Sequence, residues 1–210
     1  MNQLVIVSIG ILNPPAGFAI TTPTSTNPWV LIGSSVSPST NYTQFLYYHA
    51  ISATEAGMLT FEPNFTFNDP AAATIVGIIY NGTCTQTMSS MCPTGSPAGN
   101  PIGDLTTGTA TASNSISETS ATLVTANGVA VCAFGSTNVT DAPGLFSGGT
   151  ITPNDLGTGG GSADTGGNAG LAIYQAFGLS GLQGPWTATL PSALTGDNAA
   201  QCISILPVGD

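Results

Sequence analysis

A chain of 210 residues with ten carboxylates, one histidine and neither lysine nor arginine cannot hold itself together with ion pairs. Each carboxylate has to be solvated, hydrogen-bonded or bound to a cation, because a bare charge is costly to remove from water. Charged residues are 5% of this chain, against about a quarter of an ordinary globular one, so basic side chains have been excluded rather than thinned. The formal charge of −10 also rules against whole classes of partner. With no cation to displace counterions from phosphate, the chain is expected to be repelled by DNA, RNA and anionic membrane surfaces. It offers no cleavage site to proteases that require a basic residue, which suits a protein exposed outside a cell.

The low charge does not spell disorder. Hydrophobic residues are 41% of the chain and gather in short β-branched runs separated by turn residues. "LVIVSIGIL", Leu4 to Leu12, reads as a strand ended by Asn13-Pro14-Pro15, followed by "WVLIGSSV" from Trp29 and "TQFLYYHAIS" from Thr43. "GMLTFEPNFTF" is interrupted at Glu62-Pro63-Asn64, as a bulge or edge would be, and "AAATIVGIIYNG" continues the pattern. "SATLVTANGVAVCAFGS" reads as a hairpin turning at Asn127-Gly128, and "LAIYQAFGLSG", "WTATLPS" and "AAQCISILP" close the chain.

No amphipathic helix stands out, and no window is long and apolar enough for a membrane span. The expected fold is all-β: a two-sheet antiparallel β-sandwich, jelly-roll-like, with long Gly/Thr-rich loops, forming a single domain over residues 1–210. Two segments depart from the strand pattern. One is a Cys-bearing insertion around 81–120 with a short strand near "IGDLTTGTAT"; the other is a flexible Gly-rich loop around 152–170.

The candidate chemistry is sparse. Alternation in "FLYYHAI" places Phe45, Tyr47 and His49 on one face and Leu46, Tyr48 and Ala50 on the other, with nothing to say which is buried. A hydrolytic triad would have to use His49 as its base, yet His49 lies mid-strand among aromatics and no G-x-S-x-G elbow occurs. A neutral histidine hydrogen-bonded within the sheet is the expectation, and no catalytic residue is assigned. The Gly-rich "LGTGGGSADTGG" lacks the lysine and the strand-to-helix setting of a phosphate loop. No cofactor is expected.

No C-x-x-C pair accompanies the single histidine, so zinc is poorly served. Asp155 and Asp164 flank the Gly-rich loop and would be the ligands of a calcium ion were one held, although their spacing fits no EF-hand and solvated aspartates are the plainer reading. Cys84 and Cys92, eight residues apart in the insertion, are expected to form a disulfide that staples a loop with little core. Cys132 and Cys202 sit in apolar strands, where two small buried side chains are the default; a bridge between them requires adjacent strands in register. Trp29, Tyr42, Tyr47, Tyr48 and Trp186 would line a sugar platform if exposed, while core packing is the simpler account.

The order "PWVLI", "TQFLYYHAISATEAGMLTFEPNFTF", "AAATIVGIIYNG", "ATLVTANGVAVCAFGS" and "WTATLPSALTGDNAAQCISILP" resembles a β-sandwich module of phage structural proteins and large secreted bacterial surface proteins. The resemblance spans nearly the whole chain, and its motifs are strand patterns rather than chemical signatures. Members carry a further strand before the one matching "NQLVIVSIG", which implies a bare sheet edge completed by a neighbouring subunit. The Cys-bearing insertion after Tyr80 has no counterpart in the module.

What the resemblance implies is a non-enzymatic structural protein on the exterior of a virion, a capsid decoration or cement protein or a fibre or tail component, working as a homo-oligomer or among other virion proteins. The opening residues lack a basic n-region and a small-residue cleavage site, so a secretory signal peptide is not expected. Release by lysis reconciles that with an extracellular location. The alternative is a secreted or cell-surface module that binds glycans or forms filaments.

Overall fold

The computed structural model describes residues 3–25, 27–56, 64–68, 72–81, 101–117, 121–137, 157–160, 170–183, 187–189 and 195–206. In chain order the elements are β1 (Gln3–Leu12), β2 (Ile20–Thr21), β3 (Val30–Val36), β4 (Tyr42–Ala50), α1 (Ala53–Ala56), β5 (Thr66–Phe67) and β6 (Ala72–Asn81). There follow β7 (Ile102–Ser113), β8 (Ser115–Ser117), β9 (Ala121–Ser136), β10 (Gly157–Gly160), β11 (Gly170–Gln183), β12 (Thr187–Thr189) and β13 (Gly196–Ile205). The fold is all-β and antiparallel. A four-stranded sheet runs β3-β4-β1-β6, a five-stranded sheet runs β10-β11-β9-β13-β7, and β12-β8 and β2-β5 form two small pairs. Among the described residues no helix is long and apolar enough to cross a membrane.

The two larger sheets face each other. Leu4, Ile6, Leu46, Tyr48 and Tyr80 of the first sheet pack against Ile102, Val131, Ala133, Ile203 and Ile205 of the second. The other face of the first sheet carries a second apolar layer, in which Val5, Val7, Ile9 and Ile11 of β1 meet Trp29 and Tyr47, with Phe18, Phe65 and Phe67 packed around them. Strand β1 is therefore buried on both faces, and this is why "LVIVSIGIL" shows no polar alternation. The same arrangement resolves the faces of β4: Leu46 and Tyr48 point between the sheets, and Phe45 and Tyr47 point into the aromatic layer.

Polar groups cross between the sheets at defined places. Gln44 Nε2 of β4 donates to Ala133 O of β9 at 3.0 Å and to Ser8 Oγ of β1 at 3.1 Å. Ser35 Oγ of β3 donates to Gly108 O of β7 at 3.3 Å. Nearby, the fully buried ring of Tyr42 reaches between Gly10 of β1 and Gly135 of β9, and a Cβ at either glycine would overlap its hydroxyl. The glycines are what allow a tyrosine to lie across this end of the core.

Three expectations need correcting. Asn127-Gly128 is not a turn: β9 runs unbroken from Ala121 to Ser136, because its two apolar arms do not fold on each other. β11 pairs with both arms, with register shifts between Ala176 and Gly181, and β13 takes the second arm. The strand near "IGDLTTGTAT" is not short; β7 has 12 residues and forms the edge of the second sheet beside β13. Within the Gly-rich loop, Gly157–Gly160 is strand β10, paired to β11. β1 itself lies inside its sheet, paired with β4 on one side and β6 on the other.

Candidate functional site

His49 is the first place to look for chemistry. It ends up wholly buried near the end of β4. Its ring stacks on Trp29 with centroids 4.7 Å apart and planes 17° from parallel. Nε2 lies 3.1 Å from each carboxylate oxygen of Glu55. That contact ties the ring to the single helical turn that follows the strand. An ionised carboxylate only accepts, so Nε2–H is the donor in this contact.

Glu55 is placed by a capping box. The hydroxyl of Ser52 accepts the Glu55 backbone N–H at 3.2 Å, and the Glu55 carboxylate accepts the Ser52 backbone N–H at 2.7 Å. Burial on its own would raise the Glu55 pKa, but the hydrogen bonds from Ser52 and His49 outweigh it and hold the carboxyl below its usual range. Asn27 Nδ2 donates to Ala50 O at 2.7 Å and ties the Trp29 loop to the same strand end. The hydrogen bonds of Ser52 run to Glu55 and not to the imidazole, so this serine, histidine and glutamate do not stand in the order of an acyl-transfer triad. The arrangement locks a turn onto a sheet.

A second polar cluster joins the two sheets at the other end of β4. The Asp197 carboxylate of β13 accepts from Ser39 Oγ, from Asn41 Nδ2 at 3.1 Å and from the Ala112 backbone N–H at 3.2 Å. Ser39 and Asn41 belong to the β3–β4 turn, in which Thr40 has φ of 63°, and Ala112 of β7 has φ of 47°. The Ser39 hydroxyl is the main cause of a depressed Asp197 pKa; partial burial opposes it, and Asn41 and Ala112 add to it. All three donors are neutral, so the cluster satisfies one carboxylate without a cation.

A cleft of about 200 Å³ opens between the edge strands β3 and β7, lined by Val30, Leu31, Ile32, Tyr48, Ile102, Gly103 and Leu105. It is smaller than a drug-sized pocket, which runs to roughly 300 Å³ or more. Leu31 and Leu105 at its rim are 47% and 38% exposed, and Val36 further along β3 is 46% exposed. The polar groups of a reactive centre do not converge on it.

The remaining sequence candidates divide between the buried and the undescribed. Cys132 and Cys202 are directly opposed in the β9–β13 register and form a disulfide with Cα atoms 4.1 Å apart. The expectation of two free buried thiols is thus replaced by a bond that the register makes available. Trp29, Tyr42, Tyr47 and Tyr48 are at most 8% exposed, so they do not form a sugar platform. Cys84, Cys92, Asp155, Asp164 and Trp186 lie outside the described residues. Among the described residues no group of three or more histidine, cysteine or carboxylate side chains is placed to hold a metal ion.

Two residues that organise these sites, Glu55 and Asp197, are not among the sequence candidates. Glu55 carries a readable signal, the Ser52-x-x-Glu55 spacing of a capping box. Asp197 carries none, since its partners come from positions 39, 41 and 112. No family model, no curated protein and no solved structure matches the chain.

Proposed function

We propose that this chain is a non-enzymatic structural protein of a virion exterior, a capsid decoration or cement protein or a fibre or tail component, working as a homo-oligomer through its sheets. The observation that carries the non-enzymatic part is the fate of the sole histidine: it is wholly buried, stacked on Trp29 and engaged by Glu55. Among the described residues His49, Glu55 and Asp197 are engaged in holding the fold, while large apolar side chains on edge strands face solvent. That distribution favours a protein whose work is contact with neighbours. The virion setting rests on the resemblance of the motif order to the phage and surface-protein module.

Contacts made by such a chain rest on apolar burial and strand-edge hydrogen bonds, because there is no lysine or arginine to pair across an interface. They are therefore insensitive to salt. Antibody-labelled electron microscopy of the native material tests the proposal: label is expected on the outside of regular particles. Label confined to the cell surface, or to free monomers that bind immobilised glycans, would replace it with the cell-surface reading.

A further inference from the structure

We infer that β6 is the strand through which two copies of this chain join, edge to edge and antiparallel, about a two-fold axis at Gly77. This rests on the assembly proposed above and names its surface.

Natural sheets protect their edges with charges, prolines, bulges or brevity. Three of the four outer strands of the two large sheets do so. β3 is bulged between Leu31 and Gly33. β7 shifts register twice against β13, and β10 is four residues long. Within its span β6 has no bulge, no proline and no charge. It pairs with β1 over ten consecutive residues, Gln3↔Asn81 to Leu12↔Ala72, without a register shift, and its sequence "AATIVGIIYN" contains neither proline nor a charged residue. Among the described residues its far edge makes no ladder, and β10 and β11, which pass close beside it, pair in the second sheet.

The exposed face of β6 points to a second copy as the occupant. Ile75, Gly77 and Ile79 share that face, with Ile75 44% and Ile79 51% exposed, while Ile78 and Tyr80 turn inward to the core. The pattern is symmetric about Gly77. An antiparallel copy centred there sets Ile75 opposite Ile79 of the second copy, and the reverse, so one patch satisfies itself as a two-fold interface requires. Charge points the same way. Two molecules of −10 can approach only where carboxylates are absent, and residues 72–81 contain none. A basic partner would find nothing to pair with on this strand. Joined so, the two four-stranded sheets form one continuous sheet of eight.

The test uses the full-length chain in sedimentation equilibrium over a range of concentration and salt. A dimer that persists at high salt is expected, and Ile79→Glu is expected to weaken it roughly a hundredfold, since it buries a carboxylate at each end of the interface. Gly77→Cys is a separate arm that does not depend on Ile79→Glu folding. A Cβ at Gly77 makes only ordinary contact, 3.4 Å from Val7 Cγ2, and two cysteines facing across the axis should close a disulfide between chains on mild oxidation. A wild-type dimer that tolerates Ile79→Glu, together with a Gly77→Cys chain that does not cross-link, overturns the role of β6 and leaves assembly through another surface. A wild type that stays monomeric at every concentration overturns both.

Discussion

Nε2 of His49 lies 3.1 Å from both carboxylate oxygens of Glu55, and the same carboxylate accepts the backbone N–H of Ser52. One side chain thus caps the turn at 53–56 and holds the buried imidazole. Replacing Glu55 by alanine removes a capping contribution of about 1 kcal/mol and leaves a buried donor unsatisfied at about 1–3 kcal/mol. The expected loss of stability is about 3 kcal/mol. Glu55→Gln keeps an acceptor and should lose roughly half as much. Chemical denaturation of the two variants checks both the size and the order, and an unchanged Glu55→Ala would show that the contact is idle.

The pH dependence follows from two carboxylates, that of Glu55 and that of Asp197. Glu55 and Asp197 both have folded pKa values below their ordinary ones. Their contribution is therefore complete above the unfolded values of about 4.3 for Glu and 3.9 for Asp, and it is lost as pH falls through the lower folded values. Thermal stability should gain nothing from them between neutrality and about pH 5, and should decline below about pH 4.5. The paired variant Glu55→Gln with Asp197→Asn should flatten that acid limb. A limb of unchanged steepness would assign it to other carboxylates.

Tyr42 gives a prediction of opposite signs at neighbouring positions. Its hydroxyl is buried with no hydrogen-bond partner among the described residues, and burial pushes its pKa up. Tyr42→Phe removes an unsatisfied polar group and should be neutral or stabilising by up to about 1 kcal/mol. Gly135→Ala drives a methyl group into the same ring and should cost about 3 kcal/mol. In a Tyr42→Ala background that cost should largely vanish, and a double-mutant cycle measures the difference. Additive costs would mean that the ring and the glycine do not meet.

What could be read from the sequence was set by locality. Strand runs such as "LVIVSIGIL" and the alternation of "FLYYHAI" declare themselves because their pattern is intrinsic to consecutive residues. Asn127-Gly128 misleads for the converse reason. A turn dipeptide reports a local preference, and β9 overrides it by pairing both of its arms with β11. The role of His49 was half legible: its position among aromatics argues for burial, and Ser52-x-x-Glu55 announces a cap, but nothing local says that the cap turns its carboxylate back to the imidazole. The Asp197 cluster was illegible, because Ser39 lies 158 residues away in sequence and meets it only when the two sheets are stacked.

The register that opposes Cys132 and Cys202 closes a loop spanning 70 residues of sequence. In the chain-entropy account, cross-linking ends that far apart removes about 4 kcal/mol of freedom from the unfolded ensemble. Both cysteines are wholly buried between neighbouring backbones, so reductant reaches the bond only when the β9–β13 pair opens. Two outcomes are expected. The double variant Cys132→Ala, Cys202→Ala should lose about 4 kcal/mol of unfolding free energy, and in the unmodified chain the rate of reduction of this bond should track the rate of unfolding as denaturant is raised. A loss under about 1 kcal/mol, or rapid reduction in native buffer, would show that these strands do not hold the register described.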